Sequence, residues 1–170
     1  MAYDPQRSVG RNYGSPYNNR EDAQQAHYNN RAGVQDERAQ MEEPETLPTD
    51  YVEEARCVLN KLRKENSFGK FEITTSKLRT IHALVADIYN VENLRTEAEL
   101  LEESQLKLMR LRVRVVYDAG REQAVMKFVK KTKLLNYIKG IGKSRTEMIR
   151  FAHYMEALVA YHRFLGGSEI

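Results

Sequence analysis

Gly142-Lys143-Ser144 is the first stretch whose residue types and order could do chemistry, because the phosphate-binding loop of nucleotide hydrolases ends in this way. That loop also needs a glycine five residues before Gly142, where Tyr137 stands, and a hydrophobic strand leading into it. Gly140-x-Gly142 fails as a dinucleotide fingerprint too, since Arg145 holds the third glycine position. His27, His82, His153 and His162 have no metal-ligand spacing, and no Ser, His and Asp set can be assembled from the order of residues. The single cysteine, Cys57, permits no internal disulfide and starts no zinc site; it reads as a small buried apolar residue. His162, on an apolar stripe, reads as a satisfied core residue. The expectation is a protein that is not an enzyme and uses no cofactor or metal.

Charge gives a positive indication. Residues 51–170 hold 22 Lys or Arg against 15 Asp or Glu, a balance of about +7. Between Lys107 and Arg145 there are twelve basic residues and only Asp118 and Glu122 opposing them. A stretch so poor in acidic neighbours suits a polyanion, and nucleic acid is the commonest one in a cytosol. A solvated face kept soluble by charge is the competing explanation.

The elements that must position these charges are helical. All four prolines and ten Asn or Gln lie in residues 1–50, where apolar residues are too sparse to offset the entropy of ordering, so 1–49 reads as a disordered polar tail. A single helical domain is expected over 50–167. Asp50 with Glu53 opens a first helix with Val52, Ala55, Val58, Leu59 and Leu62 on one face, ending near Glu65. Thr74 or Thr75 caps a second, striped by Leu78, Ile81, Val85 and Ile88 and flanked by Lys77 and Arg79. A third runs from about Arg95 to Ala119 with Leu101, Leu108, Leu111, Val115 and Ala119 inward. On its far side Lys107, Arg110, Arg114 and Arg121 fall within an arc of about 60°, a basic stripe. Arg112 projects near the apolar face and must reach water or meet an anion. The alternation Arg110-Leu111-Arg112-Val113-Arg114-Val115 has the period of a strand, but no second convincing strand exists to pair with it. Short helices follow at Glu122–Lys131, with Ala124, Val125, Phe128 and Val129 inward, and around Leu134, Leu135 and Ile138; a tight Gly140-Ile141-Gly142 turn comes next. A last helix opens on Ser144 with Glu147 and stops at Gly166-Gly167, with Met148, Phe151, Ala152, Met155, Leu158, Val159 and His162 on one face. The fold class is all-α, a compact bundle of five or six helices.

Leu135-x-x-Ile138-Lys139-Gly140-Ile141-Gly142, followed by a helix carrying Lys143 and Arg145, fits a helix-hairpin-helix. There glycine admits a phosphate to backbone N–H groups at a helix N-terminus. Thr146 stands where such hairpins carry a small alanine. On this motif the chain reads as a stand-alone duplex-DNA-binding protein. Arg150, Tyr154 and Tyr161 offer either base stacking or ordinary helix packing.

Three segments carry a family resemblance. Phe151-Ala152-His153-Tyr154-Met155-Glu156-Ala157-Leu158-Val159-Ala160-Tyr161-His162-Arg163-Phe164-Leu165-Gly166-Gly167 resembles the C-terminal signature of the small subunit of the type III-A CRISPR effector, the Csm complex. Thr75-Ser76-Lys77-Leu78-Arg79 resembles that family's "T-S-K-[IL]-R" helix start, and Tyr117-Asp118-Ala119-Gly120-Arg121 its "Y-x-x-G-R" segment. The resemblance implies an all-helical, non-catalytic subunit of an antiviral ribonucleoprotein. Several copies would stack into a minor filament lining the channel that holds guide RNA and target single-stranded RNA, with other Csm subunits as partners. Lys77, Arg79 and Arg121 match the family's basic positions; Arg112 and Arg114 come from the charge argument, Lys107 and Arg110 from the helical stripe, and Lys143 and Arg145 from the glycine turn. Contacts would be to backbone, with specificity left to base pairing. No run of about 18 apolar residues is present to cross a bilayer, and no signal-peptide pattern opens the chain, so a cytoplasmic protein without membrane contact is expected.

Overall fold

In three of the six helices that run from residue 51 onward a short polar side chain at the N-cap accepts a backbone N–H, one of the donors a helix start leaves unsatisfied. Asp50 accepts from the Glu53 N–H at 3.3 Å, Thr74 from Lys77 at 3.2 Å and Ser144 from Glu147 at 3.3 Å. The computed structural model describes residues 38–169, and the compact unit begins at Ala39. Its helices are α1 (Tyr51–Glu65), α2 (Thr75–Glu92), α3 (Glu102–Arg121), α4 (Gln123–Lys131), α5 (Leu134–Ile141) and α6 (Arg145–Phe164). The all-α expectation holds: among the described residues the only extended pairing is one antiparallel bridge, Glu99 with Ser144.

Helix α6 packs on α1, α2 and α5, and α3 packs on α2, α4 and α5. The expected stripes meet in one core that includes Leu59, Leu78, Ile81, Leu111, Phe128, Met148, Phe151 and Leu158. Tyr154 is also fully buried and donates its hydroxyl to the Thr132 carbonyl at 3.1 Å, which makes it a packing residue rather than a stacking platform. His162 is buried as expected. Its Nε2 lies 3.0 Å from the Ile73 carbonyl and its Nδ1 3.2 Å from the Thr75 hydroxyl, so the neutral ring is satisfied at both nitrogens.

Several expectations need correction. Val52 and Cys57 are exposed, because the buried face of α1 is centred on Ala55, Val58, Leu59 and Leu62. Val159 is only partly buried. Helix α3 starts at Glu102 rather than Arg95, and Leu101 precedes it partly exposed. The intervening backbone pairs with the start of α6 instead: Leu100 N–H to Lys143 O and Arg145 N–H to Ala98 O, both at 2.9 Å. Tertiary backbone bonds override helix propensity here. Gly140 is helical, and only Gly142 (φ 52°) takes the turn conformation.

The compact unit also reaches back eleven residues before the expected boundary at 50. Residues 39–49 form a strap whose Met41 and Leu47 are buried. Its backbone is held by the Asn136 amide, which donates to the carbonyls of Gln40 and Glu43, and by Arg150, which donates to the Leu47 carbonyl at 2.7 Å. A β-carbon on Gly140 would come within 1.9 Å of the Glu45 carbonyl oxygen, so the strap needs glycine there. The remainder of the expected tail, residues 1–37, lies outside the described residues.

Candidate nucleic-acid interface

The antiparallel pair α2 and α3 has two ends, and the candidate cations divide between them. At one end the start of α2, the α3–α4 junction and the stretch after α6 converge. Lys77 pairs with Glu122 at 2.7 Å, Arg79 with Glu169 at 3.2 Å, and the Thr75 N–H donates to the Ser168 carbonyl at 2.8 Å. The His162 ring, 4.4 Å from that of Phe71, anchors this corner from below. The three segments of the family resemblance thus meet in space. Arg121, next to Glu122, is exposed there and has no ion pair among the described residues.

Along the solvent face of α3, Arg110 is likewise exposed and has no ion pair among the described residues. Arg114 binds the buried Asp118 carboxylate through Nε at 3.0 Å, which leaves its terminal nitrogens outward. Lys107 belongs to the same row but sits between Asp87 and Glu103, both at 3.1 Å, and these carboxylates raise its pKa. Arg112 meets an anion, as its position required, within the chain: the Glu42 carboxylate of the strap.

At the other end the glycine turn departs from the hairpin reading. Arg145 donates Nε to the Glu97 carbonyl at 2.6 Å and Nη1 to the Glu92 carbonyl at 3.0 Å, closing the end of α2. Its own N–H is taken by Ala98, the Ser144 N–H by the Ile141 carbonyl, and the Ser144 hydroxyl by Glu147. With the strap lying over Gly140 as well, the N–H groups a phosphate would need are largely occupied. Lys139 and Lys143 are exposed there and have no ion pair among the described residues. Arg150 is engaged by Glu147 and Leu47.

Sequence reasoning missed Glu92, a fully buried carboxylate at this end. Burial pushes its pKa up, but hydrogen bonds from Ser104, the Leu101 N–H at 3.1 Å and Arg95 at 2.7 Å outweigh that and hold it below the usual carboxylate range. The signal was present, since Glu92 lies four residues beyond Ile88 on the buried stripe of α2. The strap partners Glu42 and Glu45 gave no comparable signal.

The family model described as "Csm2 Type III-A" matches residues 57–168, from within α1 to beyond the end of α6. The chain belongs to the Csm2 family. The resemblance drawn from three segments therefore holds for most of the helical domain. Similar proteins, each named "CRISPR system Cms protein Csm2", include one from Mycobacterium tuberculosis, 40% identical over 119 residues, covering 70% of this chain and 94% of the relative. One from Streptococcus thermophilus is 38% identical over 120 residues, 71% of this chain and 94% of its own. One from Enterococcus italicus is 35% identical over 113 residues, 62% and 80% respectively. Among the described residues no helix is long and apolar enough to cross a membrane.

Proposed function

We propose that this Csm2 family member is a non-catalytic, RNA-binding small subunit of a cytoplasmic type III-A CRISPR ribonucleoprotein acting in antiviral defence. Copies would stack with one another and with other Csm subunits into a minor filament along guide RNA and target RNA. The observation that carries this reading is the row Arg110, Arg114 and Arg121 on the solvent face of α3, with Lys77 and Arg79 at the same end. Among the described residues Arg110 and Arg121 have no carboxylate to give up, and the Glu122 and Glu169 partners of Lys77 and Arg79 are at least 41% exposed, so phosphate can replace them at small cost. Arg112 and Arg145 are committed within the chain and are left out of the wall; Lys107, between Asp87 and Glu103 that are 63% and 73% exposed, stays at the edge of the row and gives up two carboxylates rather than one; Lys143 is an outlying contact. A row of cations without base-reading groups follows a strand and leaves sequence to base pairing.

The test is fluorescence anisotropy of the full chain with unrelated single-stranded RNAs and a duplex DNA across a salt series. Similar affinity for every RNA, weaker duplex binding and a log–log slope of roughly −3 to −4, for about five phosphates, are expected. Preference for duplex DNA would overturn the reading and restore the hairpin one.

A further inference from the structure

Two phenylalanines stand almost free of the fold at one end of the α1–α6 pair. These helices run parallel: Tyr51 meets His153 with ring centroids 6.1 Å apart where they begin, and Arg63 donates to the Leu165 carbonyl at 3.2 Å where they end. At that second end Phe68 is 85% and Phe164 82% exposed. A core was within reach, because Phe71, three residues after Phe68, packs on the buried His162 ring. Phe68 is instead held out by its turn. The Asn66 side chain accepts the Phe68 N–H and its carbonyl the Gly69 N–H, both at 2.9 Å, with Gly69 at φ 62°. Glu65 with Lys131 at 2.5 Å and Glu72 with Lys127 at 2.7 Å tie both flanks of the loop to α4. One exposed ring is ordinary; two at the same end, one of them on a pinned turn, form a presented surface.

The charges around the rings identify what they meet. Lys61, Lys64 and Lys70 are exposed around Phe68 without an ion pair among the described residues, and the flanking carboxylates, Glu65 and Glu72, are taken by α4. Next to Phe164, Arg163 shares the Glu169 carboxylate with Arg79, so the rings continue from the corner that holds Lys77, Arg79 and Arg121. Aromatic faces beside an excess of cations are the means by which proteins hold single-stranded nucleic acid: the cations follow the backbone and the rings stack on bases. The cation row by itself gives no reason to prefer a single strand, since a duplex carries about twice the phosphate charge per length. The rings supply one, because only an unpaired base can offer its face.

We infer that Phe68 and Phe164 are stacking platforms for unpaired nucleobases of the strand that runs past the corner of Lys77, Arg79 and Arg121. A phenyl ring has no hydrogen-bonding group, so any base serves and binding stays independent of sequence. The inference rests on the proposed function for the strand itself and adds the groups that tell strand from duplex.

Anisotropy of the full chain with a single-stranded RNA, an abasic oligomer of the same length and a duplex DNA tests it. Phe68→Ala and Phe164→Ala should each weaken single-stranded RNA binding about tenfold. Salt slope and duplex affinity should not move, since no cation is lost, and the thermal midpoint should hold because both rings are exposed. Phe68→Trp should bind at least as well as the native chain, whereas Phe68→Leu, apolar without a flat face, should fall with Phe68→Ala. Toward the abasic oligomer the native chain and both alanine variants should be equal, the non-additivity that contact of ring with base requires. Unchanged RNA affinity in both alanine variants, or equal losses on ordinary and abasic oligomers, would overturn the inference, while a native slope of roughly −3 to −4 would keep the proposed function standing. A native chain that binds no single-stranded RNA overturns both. A loss seen only in co-sedimentation with anionic vesicles would also overturn the inference and reassign the rings to a membrane surface.

Discussion

The two ends of the α2–α3 pair carry similar sequence chemistry and use it in opposite ways. At the corner of Lys77, Arg79 and Arg121, cations sit on the surface, either unpaired or matched with carboxylates that are themselves exposed. At the glycine-turn end, Arg145 and the backbone N–H groups close the protein's own carbonyls, and Glu92 is buried in a hydrogen-bonded cluster. A basic residue is available to a polyanion only when no internal acceptor has claimed it. Density of Lys and Arg along the chain does not distinguish the two cases.

The largest effect should come from setting the ends against each other. Arg110→Glu with Arg121→Glu should weaken single-stranded RNA binding about a hundredfold, equally for unrelated sequences, and flatten the salt slope by about 1.4. Lys143→Glu should cost less than about threefold, as the loss of one outlying contact. Anisotropy titrations check both; equal losses at the two ends would erase the contrast.

Next come two glycines, one at each end. Gly140→Ala should gain helix propensity of about 1 kcal/mol in a free helix. Here the new methyl meets the Glu45 backbone, so a net loss of about 1–3 kcal/mol is expected in urea unfolding. Gly167→Ala should lose a similar amount at the motif corner, because its β-carbon would stand 2.1 Å from the buried His162 ring. A neutral Gly140→Ala would mean that the strap is not held against α5.

The smallest effect is a pH dependence that differs between the ends. Burial lowers the His162 pKa, reinforced by Arg163 and only partly opposed by the bond to Ile73. The unfolded chain therefore binds the extra proton first, so stability is complete above about pH 6.5 and falls as pH drops below it. Glu92, held below the carboxylate norm, keeps its charge through that window, and its contribution fades only as pH falls below about 4.5. Thermal midpoints at pH 7.5 and 5.5 should therefore decline, and His162→Gln should flatten that decline. An unchanged decline in the variant would place the titrating group elsewhere.

Much of this was legible in one dimension. Short polar caps at Asp50, Thr74 and Ser144 and 3.6-residue stripes depend on neighbours within one or two turns, so the sequence alone determined the helical class and the core faces. The order of three motif segments likewise determined the family. What lay far apart in the chain was decided only by packing: that those segments form one corner, that residues 39–49 belong to the folded unit, and that Arg112 and Arg145 face carboxylate and carbonyl groups 70 and 48 residues away. Local periodicity tells which way a side chain points, and only the tertiary fold brings up the group it meets there.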